Sequence, residues 1–316
     1  MNQAPLSVGI DVSQDELVVA YADEVRPLQP IANAAKAIKG WLKTLPAGTR
    51  IGLEATGAYH RLAADLAVAA GHVVYVLNPR EVSHYLQSLR SRGKTDILDA
   101  RGIARFVRNE TGGCHPYVPP TALQRNIATL VQRRHQVMKN RTALRLSFSG
   151  VADCAKAFKK LLAAFDALLS DIDARLKALV GQDGPLEMGR ARLATISGIG
   201  ALNSTSLAVR LSRVDYANSD ALVAALGLDP RPKDSGQFKG RRRLSKRGNP
   251  EERRLICMAA VSASHTPTWR PIFAKLLAKG HTKTAAYCII ARKLLRIALA
   301  VWKSGIPYQP DLVGKA

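Results

Sequence analysis

Two short apolar runs near the start of the chain each end in an acidic residue, and these runs limit the folds that the chain can adopt. Residues 7–10 lead into Asp11, and residues 51–53 lead into Glu54, after which a glycine-containing turn follows. Short apolar runs bounded by turn residues are typical of buried strands. Amphipathic helical patterns alternate with them, so the first 110 residues predict a mixed α/β sheet with helices packed on it.

The predicted strands and helices of this part can be placed approximately. The strands are expected at residues 6–11, 17–22, 50–54 and 72–78. The helices are expected at residues 32–44, at 58–70, from Pro79 onwards, and at 96–107. Gly71 is the expected C-cap of the second helix, because glycine adopts the left-handed conformation without a steric penalty.

Two further acidic residues, Asp96 and Asp99, lie three positions apart at the start of the last of these helices. On a helix this spacing places both carboxylates on one face. Together with Asp11 and Glu54 at two strand ends, they could converge on one point, where their mutual repulsion would require a cation. Carboxylate oxygens suit Mg²⁺ or Mn²⁺, and a pair of such ions serves phosphodiester chemistry.

Simpler interpretations of these acidic residues stay open. Asp96 follows Thr95 and can merely begin a helix. Asp11 stands in Gly-Ile-Asp-Val-Ser, and sugar kinases and actin-like ATPases also place an aspartate in the phosphate loop of their first strand. That fold needs matching glycine-rich phosphate and adenosine loops further along the chain, and the sequence shows no convincing pair.

Charge is distributed unevenly along the chain. The 316 residues carry a formal net charge of +23, yet residues 1–110 hold 13 Lys and Arg against 11 Asp and Glu. Residues 111–316 hold the other 34 basic residues against 13 acidic ones, a net of +21. Such an excess predicts a polyanionic partner, of which nucleic acid is the commonest and a membrane surface the alternative.

The sequence favours a cytoplasmic protein. The most apolar helical pattern, residues 285–302, is interrupted by basic residues, so no transmembrane segment is expected, and no secretory signal opens the sequence. The cysteines lie far apart without C-x-x-C spacing, which argues against a zinc site or a disulfide framework. We expect all four to be small apolar core residues, namely Cys114, Cys154, Cys257 and Cys288.

From about residue 119 to 190 the pattern changes to long amphipathic segments, with leucine and isoleucine recurring at helical spacing. This pattern predicts a helical hairpin or coiled-coil arm whose function is oligomerisation rather than catalysis. The predicted domains are therefore an α/β domain (1–112), a helical linker or coiled-coil arm (113–190) and a mainly α-helical C-terminal domain (191–316).

Two parts of the C-terminal domain are candidates for contact with nucleic acid. In Ile-Ser-Gly-Ile-Gly (196–200), Gly198 and Gly200 would let backbone N–H groups approach a phosphate, as in a helix-hairpin-helix, although a plain helix–helix turn fits almost as well. Residues 230–248 form a basic loop rich in glycine and proline, before helices expected at 250–264, 267–278 and 282–303. The candidate phosphate contacts are Lys94, Lys239, Arg241, Arg242, Arg243, Lys246 and Arg247.

Ser235 lies in this basic loop between Asp234 and Gly236. Taken alone, such a serine is usually a turn residue. Here the flanking cations could bind phosphates, and the hydroxyl could attack phosphorus once its proton is removed and the phosphate charge is neutralised. Ser245 is the nearby competitor, which we interpret as a helix-approach or phosphate-contact residue.

Taken together, these blocks resemble the DEDD transposases of bacterial insertion sequences, the "one-ten" family that also includes the pilin-gene invertases. Each block alone is a weak signal, but their order and spacing are specific. The matching blocks are Gly-Ile-Asp-Val-Ser (9–13), Glu-Ala-Thr-Gly (54–57), Asn-Pro (78–79), Lys-Thr-Asp-Ile-Leu-Asp-Ala (94–100), Ser-Gly-Ile-Gly (197–200), Ala-Leu-Gly-Leu-Asp-Pro (225–230), Ser-Gly (235–236) and Leu-Ser-Lys-Arg-Gly (244–248).

The resemblance implies an N-terminal RuvC-like domain of RNase H type and a C-terminal transposase domain, joined by a coiled coil. It also implies Mg²⁺ held by Asp11, Glu54, Asp96 and Asp99, with Ser235 as the nucleophile of a composite site that a dimer or tetramer assembles. Some members of that family are guided by a structured bridge RNA that pairs with donor and target DNA. Small departures, such as Gln14 where a lysine is common, leave the subgroup open.

We therefore predict a DNA recombinase that cuts and rejoins strands through a covalent phosphoserine intermediate, with DNA and a structured guide RNA as partners and Mg²⁺ or Mn²⁺ as cofactor. A hydrolytic junction-resolving nuclease is the first alternative, and it would still cleave DNA without Ser235. A non-catalytic nucleic-acid-binding protein is the second, and loss of Asp11 or Glu54 would change only its affinity.

Overall fold

Two compact units make up the chain, unit 1 from Met1 to Pro119 and unit 2 from Pro120 to Ala316. The division into functional domains at residues 112 and 190 stays a prediction. Across the described parts of the chain, no helix has the length and apolar character needed to cross a membrane. The computed structural model describes residues 5–22, 30–55, 57–88, 95–231, 234–235, 238–240 and 242–310.

Unit 1 is built on a five-stranded sheet with the order β3-β2-β1-β4-β5. Strands β1, β2 and β3 pair as antiparallel neighbours, whereas β4 pairs with β1, and β5 with β4, in parallel. The strands are β1 (Ser7–Val12), β2 (Glu16–Tyr21), β3 (Ile31–Ala32), β4 (Arg50–Glu54) and β5 (Val73–Leu77). The central strands β1 and β4 are almost wholly buried, as expected where helices cover both faces of a sheet.

The helices of unit 1 follow the predicted order, and the mixed α/β class is confirmed. They are α1 (Ala35–Leu42), α2 (His60–Ala69), α3 (Pro79–Ser88) and α4 (Asp96–Asn109). The longer strands lie within one residue of their predicted bounds. The sequence pattern also allows a further strand before the first helix, and the two-residue strand β3 lies there. Gly71 has the left-handed conformation expected just after α2, with φ of 84°.

Helix α4 packs directly on the two central strands because two glycines leave room for it. A Cβ atom on Gly9 of β1 would overlap the carbonyl oxygen of Ala100 and the backbone nitrogen of Ala104. One on Gly52 of β4 would overlap the side chain of Val107. Gly9 and Gly52 are register partners, so the absence of both side chains creates one shallow channel for the helix.

This packing predicts a large loss of stability for Gly9→Ala. The new methyl group meets backbone atoms, which cannot rotate away, so we expect a cost of about 3 kcal/mol, at the upper end for overpacked cores. The urea-unfolding midpoint and the thermal midpoint of the full chain, followed by circular dichroism, measure this loss.

Gly40→Ala is the matched control. Gly40 lies in α1 with nothing within 4 Å of its added Cβ, so alanine there should stabilise the chain by about 0.5–1 kcal/mol. Equal unfolding midpoints for Gly9→Ala and the wild type would contradict the close approach of α4 to β1.

Unit 2 is helical and begins with two long antiparallel helices, α5 (Ala122–Ser147) and α6 (Ala155–Val180). Each has 26 residues, and at 1.5 Å per residue each spans about 39 Å. Ion pairs join them from Arg134 to Asp173 and from Arg141 to Asp166, and the rings of Phe148 and Phe158 stack at 4.8 Å near the turn. The helical hairpin is therefore present, while the coiled coil and its oligomerisation stay predictions.

The remaining helices of unit 2 share one core with the inner ends of α5 and α6, with fully buried Trp269 among its largest side chains. Their bounds are α7 (Gly184–Ala194), α8 (Ala201–Arg213), α9 (Ser219–Ala225), α10 (Pro250–Ser264), α11 (Arg270–Ala278) and α12 (Lys283–Ser304). The last three match the predicted helices, except that α11 begins three residues later than expected. The expectation that all four cysteines are core residues was wrong, since Cys154 is exposed and the other three are only half-buried.

The basic segment between α9 and α10 contains four short strands, although the sequence predicts a loop there. Strands β6 (Pro230–Arg231) and β9 (Arg243–Leu244) form an outer antiparallel pair. Strands β7 (Asp234–Ser235) and β8 (Phe238–Lys239) form an inner antiparallel pair between them in sequence. We call the whole segment, residues 230–244, the serine hairpin.

Candidate functional site

The strand carboxylates Asp11 and Glu54 lie at the same edge and on the same face of the sheet. The parallel register of β1 and β4 pairs Gly9 with Gly52 and Ile10 with Leu53, so Asp11 and Glu54 occupy the next positions along the two strands. Side chains alternate along a strand, which places Asp11 on the face of Gly9 and Glu54 on the face of Gly52. That face is the one covered by α4, and both carboxylates are half-buried there.

Helix α4 runs antiparallel to β1, and this direction brings its first turn towards Asp11. Near the C-terminal end of α4, the Arg108 guanidinium donates a hydrogen bond to the carbonyl of Ala22 at 3.5 Å. The backbone N–H of Ala22 in turn bonds the carbonyl of Ser7, the first residue of β1. The N-terminal end of α4 therefore lies at the carboxyl end of β1.

Asp96 and Asp99 occupy the first turn of α4, on the stripe of the helix that faces the sheet. Thr95 caps the helix, since its hydroxyl accepts a hydrogen bond from the N–H of Leu98 at 3.3 Å. Asp96 lies one turn before buried Ala100, and Asp99 lies one turn before buried Ile103. Asp99 is half-buried, whereas Asp96 is exposed, so Asp96 both begins the helix and lies on its sheet-facing stripe.

The loops that follow β1 and β4 contact each other beside the two strand carboxylates. The Tyr59 hydroxyl donates to the Gln14 side chain at 3.1 Å. The Asn33 amide donates both to the carbonyl of Ser13 at 3.0 Å and to that of Tyr59 at 3.2 Å. Asn33, Gln14 and Tyr59 therefore lie at this edge of the sheet, and of the three only Asn33 had no sequence signal.

The four acidic residues suit a hard divalent cation by their chemistry, since all their donors are carboxylate oxygens. Asp11 and Glu54 are placed side by side, and the turn with Asp96 and Asp99 is directed to the same end of β1. Among the described residues, however, no three His, Cys, Asp or Glu side chains are gathered closely enough to hold a metal ion. The four carboxylates and their placement fit Mg²⁺. The described residues do not, however, form a complete coordination shell.

Ser235 lies at the end of the inner strand pair of the serine hairpin. Asp234 pairs with Lys239, and Ser235 pairs with Phe238, so only two residues connect the paired positions. The backbone of Ser235 is therefore held in a strand pair rather than in an irregular loop. The side chains of both residue pairs, including those of Ser235 and Lys239, lie outside the description, as do Lys94 and Arg241 entirely.

Two backbone segments, residues 225–229 and 245–248, flank the serine hairpin and contact each other closely. We call these segments the base of the hairpin and the contacts between them the lock. A Cβ atom on Gly227, which has a φ of 69°, would come within 2.6 Å of the backbone nitrogen of Arg247. One on Gly248 would overlap the carbonyl oxygen of Ala225. The Arg253 guanidinium of α10 donates to the carbonyls of Leu226 at 3.3 Å and Gly248 at 3.2 Å.

A side-chain pair adds to this lock. The Ser245 hydroxyl donates a hydrogen bond to the carboxylate of Asp229, and the N–H of Ser245 donates to the carbonyl of Asp229 at 3.0 Å. Ser245 therefore joins the two ends of the hairpin, and its predicted function as a helix-approach or phosphate-contact residue stays a prediction. Its contact with a carboxylate also keeps it as a competitor of Ser235 for the nucleophile.

Four basic candidates lie next to this lock, and all four are exposed: Arg242, Arg243, Lys246 and Arg247. Among the described residues, Lys246 is the non-glycine residue with a positive φ, 55°. A left-handed lysine is disfavoured, and its N–H bonds the carbonyl of Gly227 at 3.0 Å, which holds it there. Exposed basic residues thus adjoin the base of the serine hairpin along the chain.

The glycines of the predicted helix-hairpin-helix have different surroundings. Gly198 has a φ of 95°, and a Cβ atom there would lie 2.5 Å from that of Ala263 in α10, so helix packing alone requires a glycine. Gly200 is the exposed N-cap residue of α8, with nothing within 4 Å of an added Cβ. Contact of this turn with a phosphate stays a prediction.

Two family models match most of the chain. Residues 8–153 match the DEDD-type IS110 model, described as "Transposase". Residues 190–274 match the model described as "Transposase IS116/IS110/IS902 family". The first match contains both strand carboxylates and the start of α4, and the second contains the whole serine hairpin.

The chain belongs to the IS110 family of transposases. The resemblance seen in the sequence is thereby confirmed. An IS110 transposase is an enzyme that cuts and rejoins DNA, and DNA is its substrate. Membership of a DEDD family also indicates the use of a divalent metal.

Individual relatives agree with this assignment. The pilin gene-inverting protein of Moraxella lacunata is 29% identical over 272 residues, which cover 81% of this chain and 80% of the relative. The transposase of insertion sequence IS1328 from Yersinia enterocolitica is 25% identical over 295 residues, covering 81% of this chain and 84% of the relative. The similarity to these IS110 relatives therefore extends over both units.

Proposed function

We propose that this IS110 transposase cuts and rejoins DNA through a covalent phosphoserine intermediate on Ser235. The observation that carries the proposal is the strand pairing of the serine hairpin, which holds the backbone of Ser235 opposite that of Phe238 within a basic segment whose base Arg253 ties together. A nucleophile held by a paired strand benefits, because a fixed attack geometry removes much of the entropic barrier.

In the cleavage step, the Ser235 hydroxyl loses its proton and its oxygen attacks the phosphorus of the scissile phosphodiester. A bond forms between that oxygen and phosphorus, and the bond from phosphorus to one nucleoside oxygen breaks. The departing oxygen takes up a proton and becomes a free hydroxyl. In rejoining, a strand hydroxyl attacks the phosphoserine and Ser235 leaves, so bonds are conserved and no ATP is needed.

The exposed cations at the base of the hairpin are proposed to hold the DNA backbone. We propose that four exposed basic residues neutralise phosphates on either side of the attacked one, namely Arg242, Arg243, Lys246 and Arg247. Phosphate contacts of this kind position the substrate without reading its sequence. Sequence selection would then come from another source, and we propose a structured guide RNA for it, as the resemblance implied.

Asp11, Glu54, Asp96 and Asp99 are proposed to hold Mg²⁺ or Mn²⁺. When bound, the ion supplies positive charge that stabilises the attacked phosphate and the departing oxygen. The side-by-side placement of Asp11 and Glu54 at one sheet edge supports this assignment. We propose that these carboxylates and Ser235 act on the same phosphodiester in the assembled, DNA-bound protein.

We also propose an RNase H-type fold for the N-terminal domain and a coiled-coil function for α5 and α6. The mixed sheet with acidic residues at the ends of adjacent strands supports the first proposal. Leu161 and Leu168 of α6 lie seven residues apart and are 44% and 46% exposed, which supports association of the arm with a second copy. The result would be a dimer or a tetramer.

The decisive experiment is to identify the residue that becomes attached to DNA. The protein is incubated with Mg²⁺, its co-purifying RNA and a DNA substrate carrying a nick near the cut site, so that the released strand diffuses away. The covalent complex is then digested with protease and nuclease, and the remaining phosphonucleotide is located by mass spectrometry. We expect it on the peptide that contains Ser235.

Any other outcome of this experiment would reject part of the proposal. A phosphonucleotide on Ser245 would reassign the nucleophile to the hydroxyl that donates to Asp229. Strand cleavage without any covalent complex, with solvent oxygen-18 in the product phosphate, would establish the hydrolytic nuclease instead. Binding of DNA with neither cleavage nor a complex would favour the non-catalytic alternative.

A further inference from the structure

Tyr59 carries an exposed aromatic ring at the carboxyl edge of the sheet in unit 1. It lies in the loop between β4 and α2, five residues after Glu54, and is 43% exposed. Every other Phe, Trp and Tyr of unit 1 is buried or half-buried. Core packing therefore does not explain this ring, and an exposed ring beside a candidate site suggests a function in binding.

Hydrogen bonds hold Tyr59 at both of its ends. The hydroxyl donates to the side-chain oxygen of Gln14 at 3.1 Å, and the backbone carbonyl accepts from the Asn33 amide at 3.2 Å. Asn33 also fixes the loop after β1, since its side chain donates to the carbonyl of Ser13 at 3.0 Å and its N–H to that of Asp15 at 2.8 Å. The ring is thus tied to the loops that follow both carboxylate-bearing strands.

Gly57 lies against this ring. It has a φ of 51°, and a Cβ atom added to it would lie 3.7 Å from two carbon atoms of the Tyr59 ring. Because a glycine is present, no side chain at position 57 extends over the ring. The result is a flat apolar surface that is open to solvent and whose orientation is fixed before any ligand binds, which lowers the entropic cost of binding.

The chemistry of this surface suits a nucleobase rather than a phosphate. Tyr59, Gln14 and Asn33 are all uncharged, so they do not neutralise a phosphate, and the Tyr59 hydroxyl is already bonded. Aromatic rings stack on unpaired bases with little regard to sequence, because every base has a π-face. A protein that cuts and rejoins DNA has to release bases beside the cut from their pairing when strands change partners.

We propose that Tyr59 is a DNA-binding residue whose ring stacks on one unpaired base next to the phosphodiester that is cut. The placement of that base beside the attacked phosphate rests on the proposed metal site at Asp11 and Glu54. The stacking itself depends only on the geometry of the two loops and on DNA as the substrate.

A photochemical cross-link tests the stacking directly. The full-length protein is bound to a DNA duplex with a short single-stranded gap that contains one 5-iodouracil, a base that cross-links under ultraviolet light to an aromatic ring stacked on it. Ca²⁺ replaces Mg²⁺, so that binding is observed apart from cleavage. We expect mass spectrometry to locate the cross-link on Tyr59, and a cross-link confined to other residues would overturn the proposal.

Two substitutions separate the ring from its hydroxyl. Tyr59→Leu should weaken binding to the gapped duplex by roughly tenfold or more, because one stacked base is lost, and should leave binding to a fully paired duplex unchanged. Tyr59→Phe keeps the ring and loses one exposed hydrogen bond, so its affinity should stay within about threefold of the wild type. Equal losses in the two variants would show that Tyr59 acts only through its bond to Gln14, and would overturn the stacking.

Phe148→Leu is the matched control, since Phe148 has an exposed ring (36%) in unit 2, outside the loops that follow β1 and β4. It should bind the gapped duplex as the wild type does, and an equal loss in Phe148→Leu and Tyr59→Leu would overturn a specific site. If Tyr59→Leu fails to fold by circular dichroism, the cross-link to the wild type still decides. A cross-link on Tyr59 together with unchanged Mn²⁺ affinity in Glu54→Gln would keep the stacking and reject only its placement beside the metal site.

Discussion

Replacing Ser235 with alanine will reduce DNA strand cleavage and rejoining by on the order of 10⁴-fold or more, the scale of losses when a covalent nucleophile is removed. The substitution removes the one oxygen that is proposed to become esterified to phosphorus. Binding to DNA should change little, because the exposed cations at the base of the hairpin are retained. Plasmid recombination and single-turnover cleavage measure the first effect, and gel-shift titration at fixed salt measures the second.

Ser245→Ala is the matched control for this prediction. It removes a hydroxyl of the same kind ten residues away, whose observed function is to bond Asp229. Loss of one part-buried hydrogen bond costs about 1 kcal/mol, so we expect a fall in cleavage of no more than about tenfold. If Ser245→Ala abolishes cleavage and Ser235→Ala does not, the nucleophile has been assigned to the wrong serine.

Much of unit 1 could be predicted because its signals are local. The runs that end at Asp11 and Glu54 are strands by composition and length alone, and Asp96 follows a threonine that caps a helix. The sequence alone does not explain why residues 9 and 52 have to be glycines, Gly9 and Gly52. Their role appears only when α4 crosses both strands, because the clash that excludes a side chain involves residues more than 50 positions away.

The serine hairpin was missed for a similar reason. Its strands are two residues long and rich in polar and basic side chains, so no alternation of apolar residues indicates them. They are held by the lock of Gly227 against Gly248 and by Ser245 bonding Asp229, contacts between segments about 20 residues apart.

The second large effect is expected from Glu54→Gln, which removes one negative charge while keeping the size of the side chain. We expect cleavage to fall by on the order of 10²- to 10³-fold, the range seen when one electrostatic group is removed from a reaction centre. The same variant should bind Mn²⁺ more weakly than the wild type, as measured by electron paramagnetic resonance titration of free Mn²⁺. Folding should be preserved, because Glu54 is half-buried at the end of β4 and its amide analogue fills the same space.

Glu110→Gln is the matched control, since Glu110 is an exposed glutamate that follows the last residue of α4, at the end of the helix away from Asp11. It removes the same charge from the same unit, so any general effect of net charge on DNA binding will be equal in the two variants. The position at the carboxyl edge of the sheet, beside Asp11, distinguishes Glu54 from Glu110. Equal cleavage rates and equal Mn²⁺ affinities for the two variants would remove Glu54 from the metal site, and with it the structural basis for placing the ion at the ends of β1 and β4.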